Sequence, residues 1–363
     1  MQERIKFGLV GVGVSKKESD WIASMHYFVP SIAWARYFPQ IAKDPRAELV
    51  AVCDVIKERL EEAKKAYGVK QVFTDYKEML EKADIDAVII TTPNKYHFPM
   101  AMEAIKAGKH LIVEKPIALT CDEAKKMVDE AKKKGVKFMP APWVFDPCFY
   151  KIREMIEKGS IGKVCLLKSK IGHMGPGHSE WSYKAGAGAG VIFDLGIYPV
   201  TKLTGLMGPA KRVLALKGTA IEKRLVMDKE IPSEVEDNSV INLDFGNGTF
   251  GVITANYCTQ TQHGPSLEIY GSKGAIFVEN GYLKFTTSQN GLQGLFTTKT
   301  PLEFTFPNEP IIERFIDYLT QGKDFTPYGE QQVHVIEILE KTIQSSDEGK
   351  VVKLTTTFDH KLL

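Results

Sequence analysis

Cysteine is scarce. The five cysteines (Cys53, Cys121, Cys148, Cys165 and Cys258) are scattered, odd in number and free of any Cys-x-x-Cys pair. That argues against a disulfide framework and fits a reducing, cytoplasmic setting. No set of His, Cys, Asp and Glu has metal-ligand spacing, so no metal is expected. Long hydrophobic runs are also missing. None approaches the roughly 20 residues that cross a bilayer, so no membrane partner is expected. The charged start Met1-Gln2-Glu3-Arg4-Ile5-Lys6 runs directly into an apolar strand, unlike a signal peptide. Charge of one sign is not in excess either. The 47 basic and 45 acidic residues leave a net +2, which speaks against nucleic acid as a partner. There is no internal repeat and no low-complexity tract.

What is present is an ordinary globular composition, 44% hydrophobic and 25% charged, in 363 residues, enough for two domains. In the first half, apolar strands alternate with helices. The strands are read at Ile5–Val10, Glu48–Cys53, Val72–Phe73, Asp86–Ile90, within 110–116 and at Val136–Met139. The helices are read at Lys57–Tyr67, Tyr96–Ala107 and from the cap Thr120 to Lys134, with Gly68, Gly108 and Gly135 as stops. This alternation predicts an α/β fold with a parallel sheet.

The first strand runs into Gly11-Val12-Gly13-Val14, the opening of a dinucleotide-binding fingerprint whose third glycine is absent. Asp54 closes the second strand, where an acid binds adenosine ribose hydroxyls. Its charge favours NAD, and Lys57 and Arg59 nearby leave NADP as the alternative cofactor. The separation from Gly13 to Asp54 is about twice the roughly 20 residues usual for this motif. An insertion is therefore placed at 15–30, read as a surface elaboration or as a lid over the cleft. A helix from Ser31 to Lys43, kinked by Pro39, follows it. The fourth strand ends in Thr91-Thr92-Pro93-Asn94. The fifth ends in Glu114-Lys115-Pro116. In open α/β sheets, ligands bind outside such carboxyl ends. A lysine there binds a substrate hydroxyl or lowers the pKa of a neighbouring acid.

After Pro142 the pattern changes. A helix at Asp146–Lys158 and a strand at Lys163–Ile171 lead to a loop rich in glycine, then a helix at Phe193–Leu206. Gly246-Asn247-Gly248 and Gly271-Ser272-Lys273-Gly274 mark two hairpins, and helices near 310–320 and 330–345 precede a strand at Val351–Leu354. The second half is thus expected to be α+β with a large, mostly antiparallel open sheet. Its free face would make a homo-oligomer, dimer or tetramer. The expected division is a nucleotide-binding domain over 1–141 and a substrate-binding and oligomerisation domain over 142–363, with the C-terminal helices packing back between them.

Asp194 and Tyr198 are spaced to share one helical face. Oxidising a secondary alcohol needs a base, and a cation at Lys115 would lower the pKa of Tyr198 towards use as phenolate. Asp194 would orient substrate or join the relay. His173 and His178 in the glycine loop are alternative bases or hydroxyl ligands, and Trp181 is suited to stack on a sugar face.

Gly11-Val12-Gly13, Asp54, Thr92-Pro93-Asn94, Glu114-Lys115-Pro116 and the run Gly188-Ala189-Gly190-Val191-Ile192-Phe193-Asp194-Leu195-Gly196-Ile197-Tyr198 resemble the glucose-fructose oxidoreductase/inositol dehydrogenase (Gfo/Idh/MocA) family over nearly the whole chain. The resemblance implies a Rossmann domain, an α/β domain whose open sheet builds the oligomer interface, and hydride transfer between a nicotinamide and a sugar, polyol or glycoside. It implies that Lys115 is the catalytic lysine and Asp194 the substrate-site acid, with Tyr198 where many members carry histidine. Asn94 and His97 match the loop on the nicotinamide side, and Trp143 is placed with the cofactor. The chain departs from the family in the 15–30 insertion, in Pro142-Trp143-Val144-Phe145 after the sixth strand, and in Ala189 within the glycine run. Two other readings stand beside this one. The cofactor stays bound and oxidation is transient, as in aldose–aldose transfer or an NAD-dependent glycosidase, or the protein is a nicotinamide-sensing regulator without catalysis.

Overall fold

A computed structural model describes residues 4–14, 31–142, 144, 146–177, 179–259, 264–279, 282–288, 295–301, 310–322 and 326–362. The segment 15–30, Trp143, Phe145 and His178 lie outside these described residues.

Six strands form the first sheet: β1 (Ile5–Val10), β2 (Ala47–Cys53), β3 (Gln71–Phe73), β4 (Ala87–Ile90), β5 (His110–Val113) and β6 (Phe138–Pro140). Their order is β3-β2-β1-β4-β5-β6, and every pairing is parallel. β4 is buried at all of its residues and β5 at all but its first. Strands covered on both faces read as continuous apolar runs, as these do. The register then fixes the site. Val10 pairs with Cys53 and with Ile90, Ile90 with Val113, and Val113 with Pro140. Gly11, Asp54, Thr91 and Glu114 therefore leave the sheet along one row, at its carboxyl edge.

The helices cover this sheet as the caps predict. Thr120 accepts from the Glu123 N–H at 3.3 Å at the start of Cys121–Lys134, and Gly68 and Gly135 close their helices in the left-handed conformation. One short helix was not anticipated. Tyr76–Lys82 starts at Asp75, whose side chain accepts from the Glu78 N–H at 2.8 Å. The helix expected over 31–43 is broken. Ala33–Tyr37 is a π-turn, followed by an α-helical turn at Phe38–Lys43. Pro39 lacks the N–H that the Ala35 carbonyl would accept in a regular helix, so the preceding turn widens.

The second sheet has nine strands among the described residues. They are β7 (Val164–Gly172), β8 (Arg212–Gly218), β11 (Asn238–Gly246), β12 (Thr249–Asn256), β13 (Leu267–Gly271), β14 (Gly274–Glu279), β15 (Tyr282–Ser288), β16 (Leu295–Pro301) and β17 (Val352–Lys353). The order is β16-β15-β14-β13-β7-β12-β11-β8-β17, antiparallel except where β12 meets β7. Gly246-Asn247-Gly248 makes the tight turn between β11 and β12 with positive φ at all three residues. A separate two-stranded hairpin, β9 (Lys223–Val226) with β10 (Lys229–Pro232), stands outside this sheet. Burial alternates along β8 and β11. The inner face packs on the long helix Thr326–Glu348 and on Ile197–Met207. The outer face leaves Leu214, Leu216, Val240 and Phe250 exposed. Thr326–Glu348 also touches Cys121–Lys134 and β6 of the first sheet, and Phe315 of the preceding helix, Ile311–Gln321, lies against Phe7 of β1 with ring centroids 6.1 Å apart.

Candidate active site

The glycine loop is shaped by close approach. Gly11 has φ +89°, and a Cβ on it would lie 2.7 Å from the main chain of Thr91 and Thr92. Gly13 has φ +68°, with Ser31 in the space a Cβ would take. Thr91 ties the loop down by donating its hydroxyl to the carbonyls of Val10 (3.0 Å) and Gly11 (2.7 Å). Asp54 is buried and turned inward. Its carboxylate accepts from the N–H groups of Gly13 (3.1 Å) and Ile56 (3.0 Å). Val12 is buried and packs in the core, while Val14 is half-buried at the end of the loop. Bare backbone at the glycines and a carboxylate beside them fit a dinucleotide: the loop would face its pyrophosphate and Asp54 its adenosine ribose.

Thr92 and Pro93 follow, half-buried. Asn94 is buried and donates to the Gly188 carbonyl at 2.6 Å, tying the loop after β4 to the glycine-rich loop of the second half. His97 does not line the cleft. It is buried, with Nδ1 2.7 Å from the Pro116 carbonyl and Nε2 2.6 Å from the Thr92 carbonyl. It braces two loops instead, and burial holds its pKa below the usual histidine range. Glu114 is likewise committed, accepting from the Tyr37 hydroxyl at 2.8 Å and from the Lys115 N–H at 3.1 Å.

Lys115 is the residue of this row that reaches across. Its Nζ is ion-paired with Asp194 Oδ1 and donates to the Asp194 carbonyl at 2.8 Å. The same Nζ lies 5.1 Å from the centroid of the Tyr198 ring. Asp194 belongs to a π-turn, Ile192–Gly196, and Tyr198 to the α-helix Ile197–Met207 that continues it. As at Pro39, a proline (Pro199) follows the widened turn, and it has no N–H to donate to the Leu195 carbonyl. Such wide turns recur at functional sites. Asp194 and Tyr198 both lie against Lys115, from the π-turn and from the helix that continues it.

The electrostatics follow from burial and from this ion pair. Burial alone would lower the Lys115 pKa, but Asp194, with Tyr198 and Glu114, raises it above the usual lysine range. Burial alone would raise Asp194, but Lys115 and the Tyr257 hydroxyl bring it below the usual carboxylate range. Tyr198 goes the other way from the sequence expectation. Burial raises its pKa more than the Lys115 cation lowers it. At neutral pH the set is therefore an ammonium, a carboxylate and a neutral phenol.

His173 is exposed beside this set, stacked on Tyr257 with ring centroids 5.3 Å apart, and its Nδ1 accepts from the Gly175 N–H at 2.8 Å. Trp181 is partly exposed on the short turn Glu180–Tyr183. Sequence reasoning missed Tyr257, which donates its hydroxyl to Asp194 Oδ2 at 2.7 Å. Its one available signal was its position immediately after the strand Thr249–Asn256. It also missed Tyr37, whose bond to Glu114 spans 77 residues of sequence. Among the described residues, no group of three or more His, Cys, Asp and Glu could hold a metal, and no helix is long and apolar enough to cross a membrane.

Residues 5–141 match the oxidoreductase family with the NAD-binding Rossmann fold, and residues 149–277 match the GFO/IDH/MocA C-terminal domain. The chain is similar to the myo-inositol 2-dehydrogenase of Thermotoga maritima, with 30% identity over 236 residues that cover 64% of this chain and 68% of that one. It belongs to the Gfo/Idh/MocA oxidoreductase family. As a member it is an NAD-binding oxidoreductase of the dehydrogenase type. A second relative, the levoglucosan dehydrogenase of Pseudarthrobacter phenanthrenivorans, is 27% identical over 305 residues, covering 76% of this chain and 73% of the relative. Among solved structures, a levoglucosan dehydrogenase in complex with NADH and levoglucosan superposes with a TM-score of 0.76 at 23% identity, over 98% of this chain and 100% of that one. At that identity the likeness speaks for the fold.

Proposed function

We propose that this oxidoreductase interconverts a secondary alcohol and a ketone on a sugar, polyol or glycoside. The observation that carries the reading is the Lys115–Asp194 ion pair beside Tyr198, at the carboxyl edge of the parallel sheet. The nicotinamide, when bound, supplies the hydride acceptor or donor. The rest falls to side chains. Lys115 offers a fixed positive charge to the substrate oxygen, where charge develops as the C–H bond forms or breaks. Asp194 keeps that lysine charged and in place. Tyr198 is the proton donor in reduction and, as phenolate, the proton acceptor in oxidation. His173, stacked on Tyr257 beside the set, and Trp181, exposed on the Glu180–Tyr183 turn, are the candidates for meeting a sugar ring and its hydroxyls. The relatives named for inositol and levoglucosan support the polyhydroxylated class.

In this reading residues 1–141 bind the cofactor, and 142–363 bind substrate and assemble the oligomer. Four exposed apolar side chains on one sheet face support that assembly, since a monomer gains nothing from showing them to water. A cytoplasmic location fits the cysteine pattern. The test is a panel of sugars, polyols and glycosides with NAD, followed at the NADH absorbance band. Turnover of at least one polyhydroxylated alcohol is expected. If the isolated protein carries nicotinamide and turns over without added NAD, the transient-oxidation mode replaces simple dehydrogenation. If NAD binds but no alcohol or ketone reacts, the catalytic reading fails.

A further inference from the structure

Arg224 sits on β9, in the hairpin outside the main sheet, yet its side chain is only 6% exposed and its partner Asp237 is fully enclosed. One terminal nitrogen is ion-paired with Asp237 Oδ2. The other donates to the carbonyls of Tyr257 (2.9 Å) and Met174 (3.2 Å), and the guanidinium lies over the Tyr183 ring at 5.8 Å. Asp237 in turn accepts from the N–H groups of Ala220 (2.7 Å) and Ile221 (2.8 Å), while its own carbonyl accepts the Tyr257 N–H at 2.7 Å. The Tyr257 main chain is thus held at both its N–H and its carbonyl. At the far end of the same residue, the hydroxyl reaches Asp194.

A buried ion pair is a weak device for stability, because desolvation offsets the attraction. Here the Arg224 Nε–H also finds no acceptor among the described residues, which adds to the cost. Apolar side chains of similar volume would fill the space as well, but they would not grip a main chain. What the pair does is fix three chain ends together: Met174 just beyond β7, Asp237 just before β11 and Tyr257 just after β12. Of the three, Tyr257 touches the site, through Asp194.

We infer that Tyr257, gripped at its main chain by the Arg224–Asp237 pair, is a positioning residue that aims the Asp194 carboxylate at Lys115. This rests on the reading of Lys115 and Asp194 as the centre of the active site. Tyr257 is buried and its hydroxyl is taken, so it acts through Asp194 rather than on substrate. The titratable groups around Asp194 are Lys115 from the end of β5, His173 from the end of β7, Tyr198 from its own helix, Tyr183 from the short turn, and Tyr257.

Tyr257→Phe removes one oxygen and keeps the ring. In protein labelled with ¹³C at aspartate carboxyls, the signal lost in Asp194→Asn identifies Asp194. Its titration midpoint is expected to rise by about one pH unit in Tyr257→Phe, because a bond to the charged form is gone. Turnover should fall about tenfold with the KM for NAD unchanged, and the acid limb of the rate profile should move up with the midpoint. Arg224→Lys keeps the charge but loses the fork, so it should shift the midpoint the same way by less. A midpoint equal to wild type in folded Tyr257→Phe overturns the proposal. The titration needs no substrate, so it stands apart from the sugar panel. A protein that oxidises nothing would sink the functional reading while this measurement still decides the role of Tyr257.

Discussion

The two sheets meet the cleft in different ways. At the edge of the parallel sheet, most of the work is done by main chain and by side chains already committed to main chain. Gly11 and Gly13 bare the backbone, Asp54 holds the Gly13 N–H, and His97 spans two carbonyls. On the side of the second sheet, side chains are held by other side chains: Asp194 by Lys115 and Tyr257, and Tyr257 under His173. The first arrangement suits a ligand recognised by shape and phosphate, the second a reaction that must move a proton. Lys115 is the crossing point, rooted in β5 but paired with the second half.

The largest expected effect tests that division directly. Lys115→Ala should lower turnover by at least about two decades, within the range of positioned acid–base groups, while NAD affinity stays within a few-fold. Tyr198→Phe should fold normally and also lose activity. The double variant should be little worse than the worse single one, since residues acting as a unit are not additive. An NAD affinity that collapses with Lys115→Ala would break the comparison, because the lysine would then belong to cofactor binding.

A smaller effect concerns the proton itself. Tyr198 is held above the usual tyrosine range, mainly by burial. Oxidation needs its phenolate, so kcat/KM for the alcohol should climb with pH through neutrality and beyond, by up to about tenfold per unit below that pKa. Reduction needs the phenol and should be flat over the same range. A plateau in oxidation beginning near pH 7 would point to a different base, with His173 a candidate; stacking on Tyr257 strips water from its ring and lowers its pKa, although the residue as a whole is exposed.

The second sheet also differs from the first in having a bare face. Leu216 is 70% exposed and pairs across strands with Val240, and Phe250 is 50% exposed on the same sheet. If this face builds the proposed oligomer, Leu216→Asp should weaken self-association at least about tenfold in sedimentation equilibrium while leaving the melting of the monomer nearly unchanged, as exposed substitutions usually do. An unchanged association state would place the interface elsewhere.

How much of this was legible depended on how local the signal was. The apolar runs of β4 and β5, the Thr120 cap and the Gly-Asn-Gly turn carry their meaning within a few residues. So does the Glu-Lys-Pro strand end, and parallel pairing then aligns it with Gly11 and Asp54 without further information. β8, the β9–β10 hairpin, β15 and β16 were not read: in β8 the exposed Leu214 and Leu216 hide the alternation in an apolar run, and in β9 and β10 lysine, arginine and glutamate dilute it. Arg224 and Asp237 had no local signature, and Tyr257 had only its place directly after β12. Each is an ordinary residue whose role comes from partners brought together by sheet order, Tyr257 meeting Asp194 across 63 residues of sequence. The sign of the Tyr198 shift was misjudged for a related reason: a sequence shows a neighbouring cation but not the burial that outweighs it.

The smallest expected effect concerns Asp54. Its carboxylate accepts two main-chain bonds, yet each oxygen keeps a lone pair free for a ribose hydroxyl. A 2′-phosphate would meet that negative charge in a buried setting, so NAD should bind more tightly than NADP. Lys57 and Arg59, on the first turn of the next helix, stand close enough in sequence to favour the phosphate once the acid is gone. Asp54→Ser should therefore narrow or reverse the preference, by about tenfold in the ratio of dissociation constants measured by fluorescence quenching. Serine still offers an acceptor to the Gly13 N–H, so affinity for NAD itself should fall only a few-fold. Two outcomes would go against this account. Equal or tighter NADP binding by the unmodified protein would show that Asp54 serves only the glycine loop. A collapse of NAD binding in Asp54→Ser would show that the loop, rather than the ribose, is where this carboxylate matters most.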